Sequence, residues 1–180
     1  CDIYVSNYEF VENEKTGKYS YKWSELKNLG SAINGNSTWE AQPSISADGK
    51  TLYFATSRPQ SKGIDIYYST RDENGEWGKA KPMGSPINSA GNDKSPFMHT
   101  DSKTLYFASQ IVGKRMGAGD YDIFFSKQDE NGKWSEPKNL GYPINSAKAE
   151  DGLIVNITGE TAYFSSGRIK NGEGGKDIYS

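Results

Sequence analysis

The sequence predicts an all-β fold built from a repeated unit. Between residues 44 and 88, short aromatic and β-branched runs alternate with Asp-Gly and Asn-Gly turn signals, a pattern typical of hairpins. The same runs return in the same order further along the chain, and this self-similarity indicates an array of identical supersecondary units. The recurring runs are Leu-Tyr-Phe or Ala-Tyr-Phe at 52–54, 105–107 and 162–164, and Asp-Ile-Tyr or Asp-Ile-Phe at 65–67, 122–124 and 177–179.

The spacing of these runs predicts the kind of unit. They recur at intervals of roughly 55 residues, close to the ~50 of kelch units and longer than the ~40–45 of WD40 units. Each interval holds four strand signals: a short run after an acidic residue, the Leu-Tyr-Phe run, the Asp-Ile-Tyr run, and a segment that carries a Trp. The sequence therefore predicts a β-propeller segment of about three four-stranded blades. Since propellers close with ~4–8 blades, we expect it to belong to a larger one of roughly six to eight.

The order of the signals divides the chain into parts of one partial propeller, residues 1–180. Residues 1–39 are expected to hold the second half of a blade and a connector. Residues 40–92 and 93–149 are each expected to form a blade, and 150–180 an incomplete one.

Several details of the unit follow from the same alignment. We expect strand one at 43–46, 96–99 and 153–157, and a loop rich in Glu, Lys and Gly at 12–20. Short turns such as Asp48-Gly49 and Asn74-Gly75 join strand one to two and strand three to four. The recurring Trp23, Trp77 and Trp134 are expected to take equivalent, packed positions on strand four.

The composition excludes several classes of function. With 21 basic and 23 acidic residues the formal charge is −2, which gives no electrostatic reason to expect nucleic acid or an anionic membrane as a partner. No apolar run approaches the ~18 residues needed to cross a bilayer, so we expect no direct membrane insertion. The single cysteine, Cys1, allows neither an internal disulfide nor a multi-thiolate metal site.

Cys1 has two interpretations. It could be the acylated first residue of a bacterial lipoprotein. The repeat alignment instead places it in the slot held by Ile64, Tyr121 and Lys176, which favours an ordinary strand residue.

The glycine-rich loops and isolated polar residues predict no cofactor, metal or catalytic site. The loops at 57–63, 109–119 and 165–175 join strand to strand, whereas a phosphate cradle needs a helix N-terminus. Asp65, Asp122 and Asp177 lack EF-hand spacing and are expected to hydrogen-bond nearby loop backbone. His99 is the only histidine, and as one variant position in a repeat it indicates packing.

The repeat resembles a known class. Ser-x-Asp-Gly-Lys-Thr-Leu-Tyr-Phe at 46–54, followed by Asp-Ile-Tyr, Asn-Gly-x-Trp, Leu-Gly and Pro-Ile-Asn-Ser, resembles the PD40 (WD40-like, TolB-type) propeller repeats. The resemblance covers nearly the whole chain. This variant looks most like the propellers of OmpA-family outer-membrane lipoproteins of Gram-negative bacteria, some of which belong to type IX secretion.

The resemblance implies a non-catalytic protein-binding or scaffolding module in the periplasm, associated with the outer membrane. Its partners would be other envelope proteins, and peptidoglycan binding would belong to domains absent from this sequence. The alternative is a glycan-binding or glycan-cleaving propeller, which would need an aromatic-lined cleft with paired carboxylates.

One rim of the propeller carries the candidate binding residues. In an up-and-down blade, the loops between strands two and three share a rim with the connectors between blades, and binding residues concentrate on such irregular loops. An equally weighted alternative is that the acidic connectors pair with the basic loops and hold the blades together. The candidates are the basic Arg58, Lys62, Lys114, Arg115, Arg168 and Lys170 and the acidic Glu40, Asp93 and Glu150.

Overall fold

A computed structural model describes residues 1–61, 63–168 and 175–180, and within these ranges the secondary structure is β-strand without helix. The strands pair antiparallel. The predicted all-β propeller architecture is confirmed, because successive sheets are built in the same strand order.

Two four-stranded sheets form the centre of the chain. In each, the strands pair in sequence order from the first to the fourth. One consists of β5 (Trp39–Ile45), β6 (Thr51–Ser57), β7 (Asp65–Thr70) and β8 (Lys81–Pro82), and the other of β9 (Asp93–Met98), β10 (Thr104–Gln110), β11 (Tyr121–Lys127) and β12 (Lys138–Asn139).

Smaller sheets flank these two blades. After them, β13 (Glu150–Val155), β14 (Ala162–Ser166) and β15 (Asp177–Tyr179) repeat strands one to three. Before them, β1 (Tyr4–Val5) pairs with β4 (Lys27–Asn28) as strands three and four. Between β1 and β4 lies a separate hairpin, β2 (Tyr8–Asn13) and β3 (Lys18–Trp23).

The core lies between neighbouring sheets. Because side chains alternate along a strand, β6 sends Leu52 and Phe54 into the cluster that holds Ile3 and Ile33. It sends Tyr53 into the cluster that holds Ile87, Leu105 and Phe107 on the other side. Each complete blade is therefore apolar on both faces. It packs against a neighbouring sheet on either side, as blades of a propeller do.

The first strands of adjacent blades lie against each other and are innermost. Each carries a bulge, where Gln42 (φ 54°), Ser95 (φ 51°) and Gly152 (φ 64°) take left-handed backbone conformations. The bulges are linked across blades, because the Ser95 amide donates to Gln42 Oε1 at 2.9 Å. Strand one also begins earlier than predicted, at residues 39, 93 and 150, so the acidic residues lie within it.

The segment expected to be a loop at 12–20 is a turn only at 14–17, and its two ends belong to strands. β2 and β3 pair over six residues each, with Tyr8 opposite Trp23 and Asn13 opposite Lys18. The two strands are held together by cross-strand contacts between aromatic rings. The charged residues of the segment gave no indication of these contacts.

The prediction for the tryptophans was partly wrong. Trp77 and Trp134 precede strand four and form isolated bridges with Arg71 and Gln128. Both are half-buried, since each packs against a core cluster that includes residues of the preceding sheet. Trp23 takes the equivalent place but is 67% exposed, because no described residue covers it in the same way.

Cys1 occupies the predicted repeat position but lies outside a strand. Its carbonyl accepts a hydrogen bond from the Glu40 amide at 3.0 Å, as the Ile64 carbonyl does from the Asp93 amide at 2.7 Å. The strand β1 begins only at Tyr4.

Candidate functional site

The loops between strands two and three meet the connectors between blades on one edge of the molecule. We call this edge the connector rim, formed by connectors 31–38, 85–92 and 142–149 with loops 58–61, 111–120 and 167–168. An arginine from each of these loops donates to connector carbonyls. The topology therefore brings together the loops that carry the predicted binding residues.

The three arginines are placed identically. Arg115 donates to Pro86 O at 2.8 Å and Ile87 O at 2.5 Å. Arg168 donates to Pro143 O at 2.7 Å and also to Ile144 O, and Arg58 donates to Ile33 O. Each guanidinium also lies over two rings, one from strand two and one from strand three, at 5.0–5.8 Å from the centroids.

The three predicted carboxylates lie beneath the arginines and are fully buried, each at 0% exposure. Asp93 accepts hydrogen bonds from the Ser109 hydroxyl and the Ser89 amide, both at 2.5 Å. Glu150 accepts from the hydroxyls of Ser166 and Ser146 at 2.6 and 2.5 Å. A partner cannot reach these groups, so we assign them to the stability of the blades.

Two ion pairs join the loops to the first strand of each sheet. Arg58 Nη2 lies 3.4 Å from Glu40 Oε1, and Arg168 Nη2 lies 3.5 Å from Glu150 Oε1. Burial raises the pKa of Asp93, although its hydrogen bonds and Arg115 oppose the shift. Burial likewise lowers the pKa of Arg115, against the attraction of Asp93. This geometry favours the alternative in which basic loops and acidic connectors hold the rim together.

Three connector asparagines add a contact whose geometry the sequence did not reveal. Asn34, Asn88 and Asn145 each accept a hydrogen bond from the backbone N–H of one isoleucine and donate one to its carbonyl, at 2.8–3.0 Å. These isoleucines are Ile66 and Ile123 in strand three and Ile3 directly before β1. The amide side chain thus replaces a neighbouring strand. The amide of Asn carries an acceptor and a donor side by side, matching the N–H and C=O of one residue, which accounts for the repeated Ile-Asn pair.

Close approach to neighbouring groups shapes the glycine-rich loop 111–120. A Cβ at Gly119 would overlap the carbonyl oxygen of Lys148, and one at Gly117 would overlap the carboxylate of Asp122. Asp122 accepts the amides of Ala118 and Gly119 at 2.8 and 3.1 Å, so its predicted bonding to loop backbone is confirmed. The loop is held between the two connectors that flank its blade.

A cavity of about 580 Å³ opens on the connector rim. Phe124 lines its interior, while Pro86 and Asn88 supply one wall and Glu136 and Pro137 another. Lys114 and Met116 of loop 111–120 also line it, and Met116 is 81% exposed. Lys114 is exposed as well, and among the predicted basic residues that the structure describes it is the one with an exposed side chain on this rim. Lys62 and Lys170 lie outside the described residues.

Among residues 1–61, 63–168 and 175–180, His, Cys, Asp and Glu side chains form no cluster able to hold a metal ion. Over the same ranges, the structure contains no helix with the length and apolar character to span a bilayer.

Comparisons with known proteins identify the fold. No family model and no curated protein matches the sequence. The chain is similar to the structure of TolB from Acinetobacter baumannii, with 16% identity and a TM-score of 0.53 over 94% of this chain and 37% of that one. It also aligns with the tricorn protease at 12% identity and a TM-score of 0.46, over 91% of this chain and 18% of that one. The chain therefore has a TolB-like β-propeller fold and spans well under half the length of either neighbour.

Proposed function

We propose that this chain is a non-catalytic protein-binding and scaffolding module of a periplasmic, outer-membrane-associated protein. The observation that carries the proposal is the open cavity of the connector rim, whose walls include loop 111–120 and connector 85–92, joined by the hydrogen bonds of Arg115 to Pro86 O and Ile87 O. Rigidly held loops of this kind are where scaffolds carry binding surfaces.

The chemistry of the cavity suits a protein surface. Met116 offers a flexible apolar side chain at its mouth, and Lys114 and Glu136 place opposite charges around it. Exposed Met adapts to varied apolar partners, and charges at the edge of an interface select the partner and its orientation. The cavity holds a few hundred Å³, enough for a small group of side chains from a partner.

The proposed location and partners follow from the resemblance of the repeat to known propeller repeats. Its resemblance to PD40 propellers of OmpA-family lipoproteins, together with the TolB-like fold, supports a place in the cell envelope. The partners would then be other envelope proteins, including those of a secretion machinery. Peptidoglycan binding would require domains outside this sequence, and the formal charge of −2 argues against nucleic acid.

Site-specific photocrosslinking tests the proposal. A benzophenone amino acid replaces Met116 on the connector rim or Asn131 in the turn of the opposite rim, and each variant is irradiated in envelope extract of the source organism. We expect a discrete protein adduct from position 116 and none from position 131. Equal labelling from both positions, or none from position 116, would contradict the proposal.

A further inference from the structure

The hairpin β2–β3 carries an unusual column of exposed aromatic rings. The rings follow one another in the order Trp23, Tyr8, Tyr21, Phe10 and Tyr19, alternating between the strands. Successive centroids are 5.0, 5.1, 5.1 and 4.8 Å apart. All five residues are 57–67% exposed. Two of the successive pairs are stacked, with interplanar angles of 16° and 9°, and two are tilted, at 44° and 54°. The rings therefore form one continuous, exposed aromatic ridge.

The part of this ridge nearest the hairpin turn lies beyond the point at which strands three and four of the next blade end. In the next blade, the same connection closes with the turn 72–75 directly after the bridge between Arg71 and Trp77. Here the bridge position is held by Tyr8 and Trp23, and Phe10, Tyr19 and Tyr21 lie beyond it. A neighbouring blade of ordinary length would cover Trp23 and leave these three rings free.

The outer edge of β3 has unpaired backbone groups among the described residues. The Ser24 amide donates to Asn7 O at 2.8 Å, which makes residues 7 and 24 a hydrogen-bonded pair. Because such pairs alternate in an antiparallel ladder, the amides of Tyr19, Tyr21 and Trp23 point away from β2. Each thus presents a donor and an acceptor to a further strand.

The face opposite the rings carries positive charge on the same strand. Lys18 and Lys22 are exposed, and neither forms an ion pair within the described part of the chain. Glu9 lies across from Lys22 on β2, and beside it Tyr8 and Phe10 join the rings. On the lysine face β2 carries Glu9, Val11 and Asn13, so Lys18 has no acidic residue across from it. A strand on the other side of β3 with acidic residues on this face would complement both lysines.

We propose that β3 receives an extended segment of a partner protein, in which apolar residues alternate with Asp or Glu, as the third strand of this sheet. The apolar side chains prolong the ring ridge, and the acidic ones pair with Lys18 and Lys22 on the other face. Backbone hydrogen bonds supply affinity and the alternation supplies specificity. This surface is separate from the connector rim, so the inference goes beyond the proposed function and stands without it.

A second copy of the chain fits this edge less well. The β3 strand (Lys18–Trp23) contains two lysines and no acidic residue, so pairing β3 with β3 of another copy leaves both lysines uncompensated in any register. Pairing β3 with the β2 strand of another copy offers Glu9 as the one acidic residue on the lysine face, and each addition leaves a free edge and continues into an open chain.

Fluorescence polarisation with synthetic peptides tests the inference. The probe is a short fluorescein-labelled peptide in which Val alternates with Glu, and the controls carry Lys in place of Glu or N-methyl groups on alternate amides. We expect the Glu peptide to bind at least about tenfold more tightly than either control, a difference of ~1.4 kcal/mol. The double variant K18E/K22E should weaken its binding about tenfold and favour the Lys peptide.

Several results would overturn the proposal that β3 binds an extended acidic segment. Equal binding of the Glu, Lys and N-methylated peptides, or binding by K18E/K22E equal to wild type, would overturn the inference. Self-association would also overturn the inference. If sedimentation shows that the wild type self-associates and that K18E/K22E does not, the edge of β3 binds a second copy of the chain. The variant K114E/M116S should bind the Glu peptide as wild type does, which separates failure at the hairpin from failure at the connector rim.

Discussion

The ammonium group of Lys94 lies 2.8 Å from Asp151 Oδ2, and this ion pair joins the innermost strands of two successive sheets. Lys176 reaches the same oxygen at 2.8 Å, and the Ser165 hydroxyl donates to Oδ1 at 2.5 Å. Burial alone would raise the pKa of Asp151. The hydrogen bonds from Lys176, Lys94 and Ser165 outweigh it and lower the pKa to about 2.

We therefore predict an acid-dependent loss of stability that requires Asp151. Since its folded pKa lies below the ordinary value of 3.8, the contribution is present above that pH and is lost as pH falls towards 2. Between pH 5 and 2.5, wild type should lose roughly 2 kcal/mol more unfolding free energy than Asp151→Asn. Urea denaturation at the two pH values measures this, and parallel losses in the two proteins would contradict it.

A second prediction concerns Arg115. Replacing it with Met removes the donors to Pro86 O and Ile87 O and leaves the buried Asp93 without its cation. Arg115→Met should lower the free energy of unfolding by about 2–3 kcal/mol. Arg115→Lys should lose less, because it keeps the charge but not the two-carbonyl geometry. The exposed Lys114→Met is the matched control, and an equal effect at both positions would refute a structural role.

We predict that replacing Trp77 and Trp23, which take equivalent positions, lowers the free energy of unfolding by different amounts. Trp77 is half-buried against the cluster that includes Leu52 and Ala80, so Trp77→Ala should cost about 2 kcal/mol, below the value for full burial. Trp23 is 67% exposed and contacts mainly Tyr8, so Trp23→Ala should cost below about 1 kcal/mol. Guanidinium titration compares them, and a larger loss for Trp23 would show that its face is covered.

The architecture was predictable because blade construction is local. The turn residues, the alternation of Leu52, Tyr53 and Phe54, and the recurring Asp-Ile-Tyr run each act within one hairpin, so their repetition determines the strand order. The loop prediction at 12–20 holds for the turn 14–17 and is wrong for 12–13 and 18–20, where charged residues such as Glu12 and Lys18 indicate a solvated loop. The strands of the hairpin at 8–23 are stabilised by ring contacts between residues that alternate with these charges.

The site was predictable in position but not in role. Sequence reasoning brought Arg58, Arg115 and Arg168 to one rim, since topology alone decides which loops meet. It could not show that these side chains turn inward, because that depends on the distance from the loop to the connector carbonyls. The bidentate contacts of Asn88 and Asn145 were hidden for the same reason, although their repetition in every unit was the available signal.

The most direct test of the central claim is the recovery of envelope proteins on the immobilised chain, compared between wild type and K114E/M116S. Both substituted residues are exposed on the connector rim, so the melting temperature should stay within about 1–2 °C of wild type. If this rim binds protein, the partner captured by wild type and crosslinked from position 116 should be recovered at least about fivefold less by the variant, a difference of ~1 kcal/mol. Undiminished recovery of that partner by a folded variant would contradict the account.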